Sequence, residues 1–356
     1  MIRQKEFQFL LEKYSEAINE FWLREKKVIR KIIENKGRDF NYFEKPLENM
    51  FITFGDKSKL IKRINLDIGL ENLNKLKKGK SFILTPGNIP LIEIQYLYFL
   101  IPVSYKILWR PSTKYIELSK KLLKYLKNYG FKSIKIIRDD IKEIIKKVKN
   151  FDYFVLVGSN RTLNEFIKNI NKSEKVLLYG SRTSVSIISD LKGVKEVIKD
   201  ITYFSHSGCL SPTIIFVKKN IFKKFQKTFI EQIMRFKNIF NEKEKLFNYY
   251  LSLSEKEDFI RTGEFYISIN PQNILISKGF INLFEFSDFK KLIKKIKKFE
   301  NLIQGISIFP YKENLEKTLK KNFKNVYIKK AGELQIIDEE FFPDGIKPLK
   351  LLLFNQ

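Results

Sequence analysis

The sequence is poor in the residues that build covalent staples and metal cages. Among 356 residues it has one cysteine, Cys209, and one histidine, His206. A lone cysteine excludes an intrachain disulfide, and a lone histidine argues against a histidine-rich metal site. No Cys/His cluster has zinc-ligand spacing, so no metal is expected. Long apolar runs are missing too. A membrane span needs about 20 apolar residues; Ile89 to Val103 comes nearest, and Glu93 and Gln95 interrupt it. Near the N-terminus, Arg3, Lys5 and Glu6 are charged, and Glu12, Lys13 and Glu16 break the run from Phe7 to Ile18. No export leader is expected from such a pattern, and the protein is expected to be cytoplasmic. There is no internal repeat and no low-complexity linker.

Hydrophobic residues make up 44% of the chain and aromatic residues 14%, enough for real cores in two or three domains. The net charge is +28, which raises the possibility of a nucleic-acid partner. The lysines, however, run through every helical segment instead of gathering on one patch, and alanine occurs only at Ala17 and Ala331. That bias across the whole chain reads as a solvated basic surface, with no nucleic acid expected and with room for the phosphates of a nucleotide or of coenzyme A.

The first third is helical by pattern. Phe7, Leu10, Leu11, Tyr14, Ile18 and Phe21 recur at helical spacing, and a second amphipathic pattern runs through Val28, Ile29, Ile32 and Ile33 to Gly37. From residue 81 short apolar runs alternate with amphipathic stretches. The runs are Phe82–Leu84, Tyr105–Trp109, Ser133–Ile137, Tyr153–Val157 and Val176–Tyr179; the stretches are Leu91–Leu100, Lys114–Tyr129, Asp140–Lys149 and Leu163–Ile170. That alternation predicts a parallel, doubly wound α/β sheet whose ligands bind beyond the carboxyl ends of the strands. A second unit is expected from about residue 190. It would hold strands at Thr213–Val217, Phe265–Ile269, Asn273–Ile276, Ile281–Phe284, Gly305–Phe309 and Val326–Ile328, and helices at Ile221–Ile239, Phe289–Phe299 and Leu315–Leu319. The expected division is residues 1–188 for the helices and a cofactor-binding domain, 189–330 for a catalytic domain, and 331–356 for a segment that returns to the first domain or forms an oligomer interface.

Chemistry concentrates around the cysteine. His206 and Cys209 sit three residues apart in a small-residue loop, Ser205-His206-Ser207-Gly208-Cys209-Leu210-Ser211-Pro212, just ahead of an expected strand. A thiolate is a strong nucleophile near neutral pH if a local positive field lowers its pKa. A lone cysteine is also often a small buried hydrophobe, and both readings stand on the residues alone.

The segment SHSGCLSPTIIFV (Ser205–Val217) resembles the nucleophile loop of the aldehyde dehydrogenase superfamily. Within it the likeness is to the fatty-acyl-CoA reductases of bacterial bioluminescence operons (LuxC-like) and their relatives in non-luminous bacteria, through the Cys-x-Ser-Pro pattern. Other loops follow in the same order over residues 80 to 345. TPGNIP (Thr85–Pro90) resembles the loop whose Asn, here Asn88, helps form an oxyanion hole. KILWRPST (Lys106–Thr113) resembles the turn that holds the adenosine ribose, with Arg110, Pro111 and Ser112, where a Lys is usual at the Arg110 position. LVGSNRT (Leu156–Thr162) resembles the turn that meets the cofactor pyrophosphate, giving Gly158, Ser159 and Arg161. LLYGSRT (Leu177–Thr183) resembles the loop that includes Gly180 and carries a general-base Glu in hydrolytic members.

Departures from the pattern carry information. An apolar residue, about Leu178, falls where that Glu would be, which suits transfer of an acyl group to hydride or a thiol over hydrolysis. Gly208 replaces the Gln commonly found before the Cys, and the phosphate loop has no GxGxxG fingerprint. The resemblance implies an aldehyde dehydrogenase-like fold with two doubly wound α/β domains. It implies NADPH-dependent reduction of a long-chain acyl-CoA or acyl thioester to the aldehyde, with Cys209 as nucleophile and Asn88 as oxyanion donor. His206 is a candidate proton donor or thiolate partner to which the resemblance gives no role, and Arg110 and Arg161 are candidates for a 2′-phosphate. It further implies a homo-oligomer such as a tetramer, and an acyl-protein synthetase as a partner. A CoA-acylating aldehyde dehydrogenase or thiol acyltransferase on the same fold, a basic non-enzymatic binder, and a relative that has lost turnover remain the alternatives.

Overall fold

The structure, a computed structural model, describes residues 3–170, 175–255 and 258–354. It divides into two compact units. The first comprises Met1–Ile29, Glu48–Ser181 and Asp338–Gln356; the second comprises Arg30–Leu47 and Arg182–Ile337.

Helices open the chain: α1 (Gln4–Glu34), α2 (Asn41–Gly55) and α3 (Lys57–Asp67). The two amphipathic patterns expected near the N-terminus are one continuous helix, α1, because no Gly or Pro breaks residues 4–34. Its stripe of Phe7, Leu11, Tyr14, Ile18 and Phe21 is buried, and the Tyr14 hydroxyl donates to the Ile94 carbonyl at 2.8 Å. The sheet of the first unit is built from β1 (Gly79–Leu84), β2 (Ser104–Arg110), β3 (Ile134–Ile136), β4 (Tyr153–Val157) and β5 (Lys175–Tyr179). They lie in the order β3-β2-β1-β4-β5, and every pair is parallel. Strands buried on both faces need near-continuous apolar runs, which explains Ser81–Leu84 and Tyr153–Val157. The crossover helices are α4 (Ile94–Val103), α5 (Ile116–Asn128), α6 (Ile141–Val148) and α7 (Asn160–Ile167). Phe82, Phe154, Ile144, Val148, Leu163 and Phe166 form the core on the α6–α7 face.

In the second unit β6 (Thr183–Ile188), α8 (Gly193–Thr202), β7 (Pro212–Lys218), α9 (Phe222–Ile233), α10 (Glu242–Ser254), β8 (Ile260–Thr262), β9 (Phe265–Ile269), β10 (Phe280–Phe286), α11 (Phe289–Lys297), β11 (Ile303–Phe309), α12 (Glu313–Asn322) and β12 (Tyr327–Lys330) follow in turn. The sheet order is β12-β11-β6-β7-β10-β9-β8, parallel except for the β8–β9 pair. Helices α8 and α9 cover one face through Val197, Ile201, Phe225 and Phe229, and α11 and α12 cover the other through Leu292, Ile296 and Leu319. The unit is therefore doubly wound, with β7 near its centre. Residues 331–337 stay with this unit, and Asp338 onward belongs to the first, where α13 (Pro348–Phe354) is capped by the Asp67 carboxylate.

Some expectations are corrected. The helix expected over Ile221–Ile239 ends at Ile233, where its buried series Phe222, Phe225, Phe229, Ile233 stops. Asn238 then takes a left-handed φ of 57°, and the Glu264 carboxylate accepts the Asn238 and Phe240 N–H groups. Asn273–Ile276 is not a strand: the buried Asn282 side chain takes both the N–H and the C=O of Leu275, which satisfies that backbone without a ladder. Strand β6 lies ahead of the expected start of the second unit. Ser186 and Thr183 are satisfied by side-chain partners, Ser307 at 2.7 Å and Thr213 at 2.6 Å, and Ser184 by a backbone carbonyl.

Candidate active site

Cys209 lies half-buried in the turn between α8 and β7, at the shared amino end of the parallel strands β6 and β7, where Ser184 pairs with Pro212. The loop leading to it is conformationally costly. Phe204, Ser205 and His206 hold φ values of 51°, 52° and 53°, three consecutive non-glycine residues in the left-handed region. Each costs of order 1–3 kcal/mol and persists only where the surroundings over-determine it. Those surroundings come from four directions within the second unit.

The first is the strand bed. Ser184 Oγ donates to the Cys209 carbonyl at 2.9 Å, and the Ser211 N–H closes a turn on the Gly208 carbonyl at 3.0 Å. Leu210 is buried over Gly305, where a β-carbon would come within 2.9 Å of its side chain. The second is His206. Its Nδ1 accepts the Gly279 N–H at 2.9 Å, so the ring proton sits on Nε2, which faces the Pro212 carbonyl at 3.2 Å. Burial pushes its pKa down to about 4, leaving the ring neutral. Both nitrogens are thus spent on backbone partners, and the ring packs against Phe265 at 5.6 Å between centroids.

The third is a charge cluster around a buried arginine. Arg38, in the turn between α1 and α2, has no exposed side-chain surface. It pairs with Glu244, donates to Ser207 Oγ at 3.3 Å and lies over the Phe43 ring. Lys278 meets the same Glu244 oxygen at 2.6 Å. Burial raises the Glu244 pKa, but Lys278 and Arg38 outweigh it and bring the carboxyl to about 2. The fourth is Gln335, whose Nε2 contacts the Asp200 and Tyr203 carbonyls and Ser211 Oγ at 2.6, 3.1 and 3.0 Å. Arg38, Glu244, Lys278 and Gln335 escape a motif reading. A capping-box spacing, Asn241-x-x-Glu244, does mark the start of α10.

The first unit gathers its expected residues at the carboxyl edge of its own sheet. Asn88 is exposed in the turn after β1, and Gly87 packs so closely on Ser112 that a β-carbon would collide with its hydroxyl. The Thr85 N–H bonds the Arg110 carbonyl at 3.1 Å, joining the turns after β1 and β2. Arg110 is half-buried and its Nε reaches the Asp139 carbonyl at 3.5 Å, Pro111 is buried, and Ser112 Oγ accepts the Lys114 N–H at 3.1 Å. After β4, Gly158 bonds the Tyr179 carbonyl, and Ser159 caps α7 by accepting the Thr162 N–H. Arg161 is exposed in the first turn of α7, which carries no acidic residue. The N-terminal turn of such a helix favours an anion. Gly180 follows β5, and Leu178 packs against the apolar core. No carboxylate occurs from Lys175 to Ser189. Among the described residues no His/Cys/Asp/Glu group is arranged to hold a metal, and no helix is long and apolar enough to cross a membrane.

No curated protein sequence matches this chain. Solved structures match it in fold. Aldehyde dehydrogenase 21 of Physcomitrella patens, crystallised with its reaction product succinate, superposes with a TM-score of 0.72 at 14% identity, covering 98% of this chain and 85% of that one. An NADP-dependent enzyme of E. coli gives 0.70 at 12% identity, covering 93% and 79%. Lactaldehyde dehydrogenase of Escherichia coli gives 0.69 at 14% identity, with the same coverage of 93% and 79%. The fold is that of the aldehyde dehydrogenases. The sequence profile of the family described as acyl-CoA reductase (LuxC) matches residues 72–265, more than half of the chain and including Cys209. This chain therefore belongs to the acyl-CoA reductase (LuxC) family, oxidoreductases of acyl and aldehyde groups.

Proposed function

We propose that the enzyme reduces a long-chain acyl-CoA or acyl thioester to the aldehyde with NADPH, through a thioester on Cys209. The observation that carries this reading is the Cys209 loop itself: the only cysteine in the sequence crowns three strained residues that four separate elements hold in place. Strain kept at such cost marks functional loops more often than packing.

In this reading the Cys209 thiolate attacks the acyl carbonyl. The carbon–sulfur bond to coenzyme A breaks, and the departing thiolate takes up the proton that Cys209 released. The Cys209 N–H, and Asn88 on the strength of the resemblance alone, would donate to the carbonyl oxygen as charge builds there. One such donor is worth about 3 kcal/mol in the transition state. His206 holds the loop instead of moving a proton, since both of its nitrogens are committed and its ring is neutral. With only Gly180, Ser181 and Arg182 between β5 and β6, no carboxylate is supplied there to activate water, so the acyl-enzyme is spared hydrolysis.

The residues of the first unit suit a dinucleotide phosphate. The α7 N-terminus offers backbone N–H groups behind Ser159, and Arg110 stands at the end of β2 where an Asp or Glu would select a bare ribose. Arg110 and Arg161 support NADPH over NADH. Bound there, a reduced nicotinamide supplies hydride; Cys209 then leaves the acyl carbon at the aldehyde level and is a thiolate again. The test is oxidation of NADPH by purified protein with acyl-CoAs of graded chain length. Consumption that requires both substrates and yields aldehyde supports the reading. Inertness with every chain length and either nicotinamide, together with salt-sensitive binding of anionic polymers, would replace it with a basic binder.

A further inference from the structure

Gln335 bonds both flanks of the cysteine loop. Its Nε2 reaches the Tyr203 carbonyl, just ahead of the three left-handed residues, and Ser211 Oγ, two residues past Cys209. We infer that Gln335 is a positioning residue for Cys209, a crossbar that closes the loop between Tyr203 and Ser211 so that the thiol and the Cys209 N–H stay preset. The inference rests on the reading of Cys209 as nucleophile.

Three features support it. The first is the orientation of the amide, which its partners fix. Two of the three contacts are carbonyl oxygens, pure acceptors, so the –NH2 end must face them and the carbonyl end must face away. Two hydrogens serve three acceptors, which ties the Asp200 carbonyl, the Tyr203 carbonyl and the Ser211 hydroxyl into one shared node.

The second is the way Gln335 is itself presented. The buried Asp200 carboxylate, on α8, accepts the Gly332 N–H at 2.8 Å and the Leu334 N–H at 3.0 Å, gripping the turn that follows β12. Gly332 is needed in that turn, because its φ is 87° and a β-carbon would run into Glu196. Residues 132 to 135 positions apart in sequence are thereby locked together beneath the loop.

The third is what removal would do. Without the carboxamide, the buried Asp200 carbonyl and the half-buried Tyr203 carbonyl lose a partner, and Phe204, Ser205 and His206 lose a restraint on a conformation they do not favour. A misplacement of about 1 Å at a reacting group costs about hundredfold in rate.

The experiment compares Gln335→Met, which keeps length and loses both donors, with Gln335→Glu, which keeps the shape and sets a carboxylate oxygen against the two carbonyls. Turnover with NADPH and a long-chain acyl-CoA is measured alongside amide hydrogen exchange of the peptide spanning residues 203–211. We expect kcat to fall about hundredfold with both KM values within about twofold of the unmodified enzyme. We also expect exchange in 203–211 to quicken while the central strands β6 and β7 keep their protection. The Glu variant serves if the Met variant does not fold. Unchanged kcat and unchanged exchange in the loop would overturn the inference, provided Cys209→Ser is inactive. A Cys209→Ser enzyme that kept its turnover would instead overturn the nucleophile reading beneath it.

Discussion

The two sheets end in loops of opposite character. At the carboxyl edge of the first, Asn88, Ser159 and Arg161 are exposed and the turns are held mainly by backbone bonds and the serine caps Ser112 and Ser159. At the amino edge of the second, Ser205, His206 and Ser211 are buried, three residues are strained, and charged or amide side chains from distant segments brace them. A surface that grips phosphates through N–H groups and arginines needs little preorganisation, because each contact is made to a flexible ligand in water. A nucleophile has to sit within a fraction of an ångström of its attack position, and rigidity there is supplied by polar side chains that bond the loop from several segments. On the proposed reading the contrast separates cofactor binding from the nucleophile, with Asn88 the one first-edge residue expected to act in the chemistry.

The largest effect separating the two edges is expected from Cys209→Ser, which should lower kcat by at least about a thousandfold in the NADPH-oxidation assay. A first-unit change, Asn88→Ala, should cost about hundredfold in kcat with little change in either KM, as loss of one oxyanion donor does; an unchanged kcat would remove Asn88 from the chemistry. Arg110→Ala should act on binding alone, raising the KM for NADPH about tenfold while leaving the KM for NADH nearly constant. Equal effects on the two nicotinamides would mean that Arg110 does not meet a 2′-phosphate.

How much of this contrast is legible in the sequence depends on what each edge is made of. The first sheet follows from its runs: Phe82–Leu84, Ile107–Trp109 and Tyr153–Val157 are apolar because both faces are covered, and the loops after them carry their own Gly, Pro and Ser signals. Cys209 is legible for a similar reason, as the only thiol in a loop of small residues. The braces are not. Arg38, Glu244, Lys278 and Gln335 look like ordinary surface residues in a chain this rich in lysine, and only long-range folding gathers them around the loop. Strand β6 is obscured because its serines spell a polar segment until Ser307 and Cys209 satisfy them. The helix expected over Ile221–Ile239 runs too far because the Asn241-x-x-Glu244 capping box, the local stop-and-restart signal, carries less weight than the run of Phe and Ile around it.

The smallest effect is one of stability, again at the second edge. The His206 pKa is pushed from 6.5 down to about 4 by burial. The unfolded chain takes up that proton near pH 6.5 and the folded chain only near pH 4, so His206 makes stability fall as the pH drops through that window, by about 3 kcal/mol in all. Asp200, pushed up to about 7 by burial, works in the opposite direction over its own range and is common to both proteins compared. The stability of the unmodified protein relative to His206→Gln should therefore fall by about 3 kcal/mol as the pH drops from 6.5 to 4 in denaturant unfolding, the Asp200 contribution cancelling in the difference; a constant difference would mean that the ring titrates normally.

The decisive measurement is mass spectrometry of the protein after brief exposure to a long-chain acyl-CoA without nicotinamide. The expected result is one acyl group on the peptide containing Cys209, discharged as aldehyde when NADPH is added and absent from Cys209→Ser. Full turnover with no adduct on Cys209, or an acyl group carried elsewhere on the chain, would contradict it.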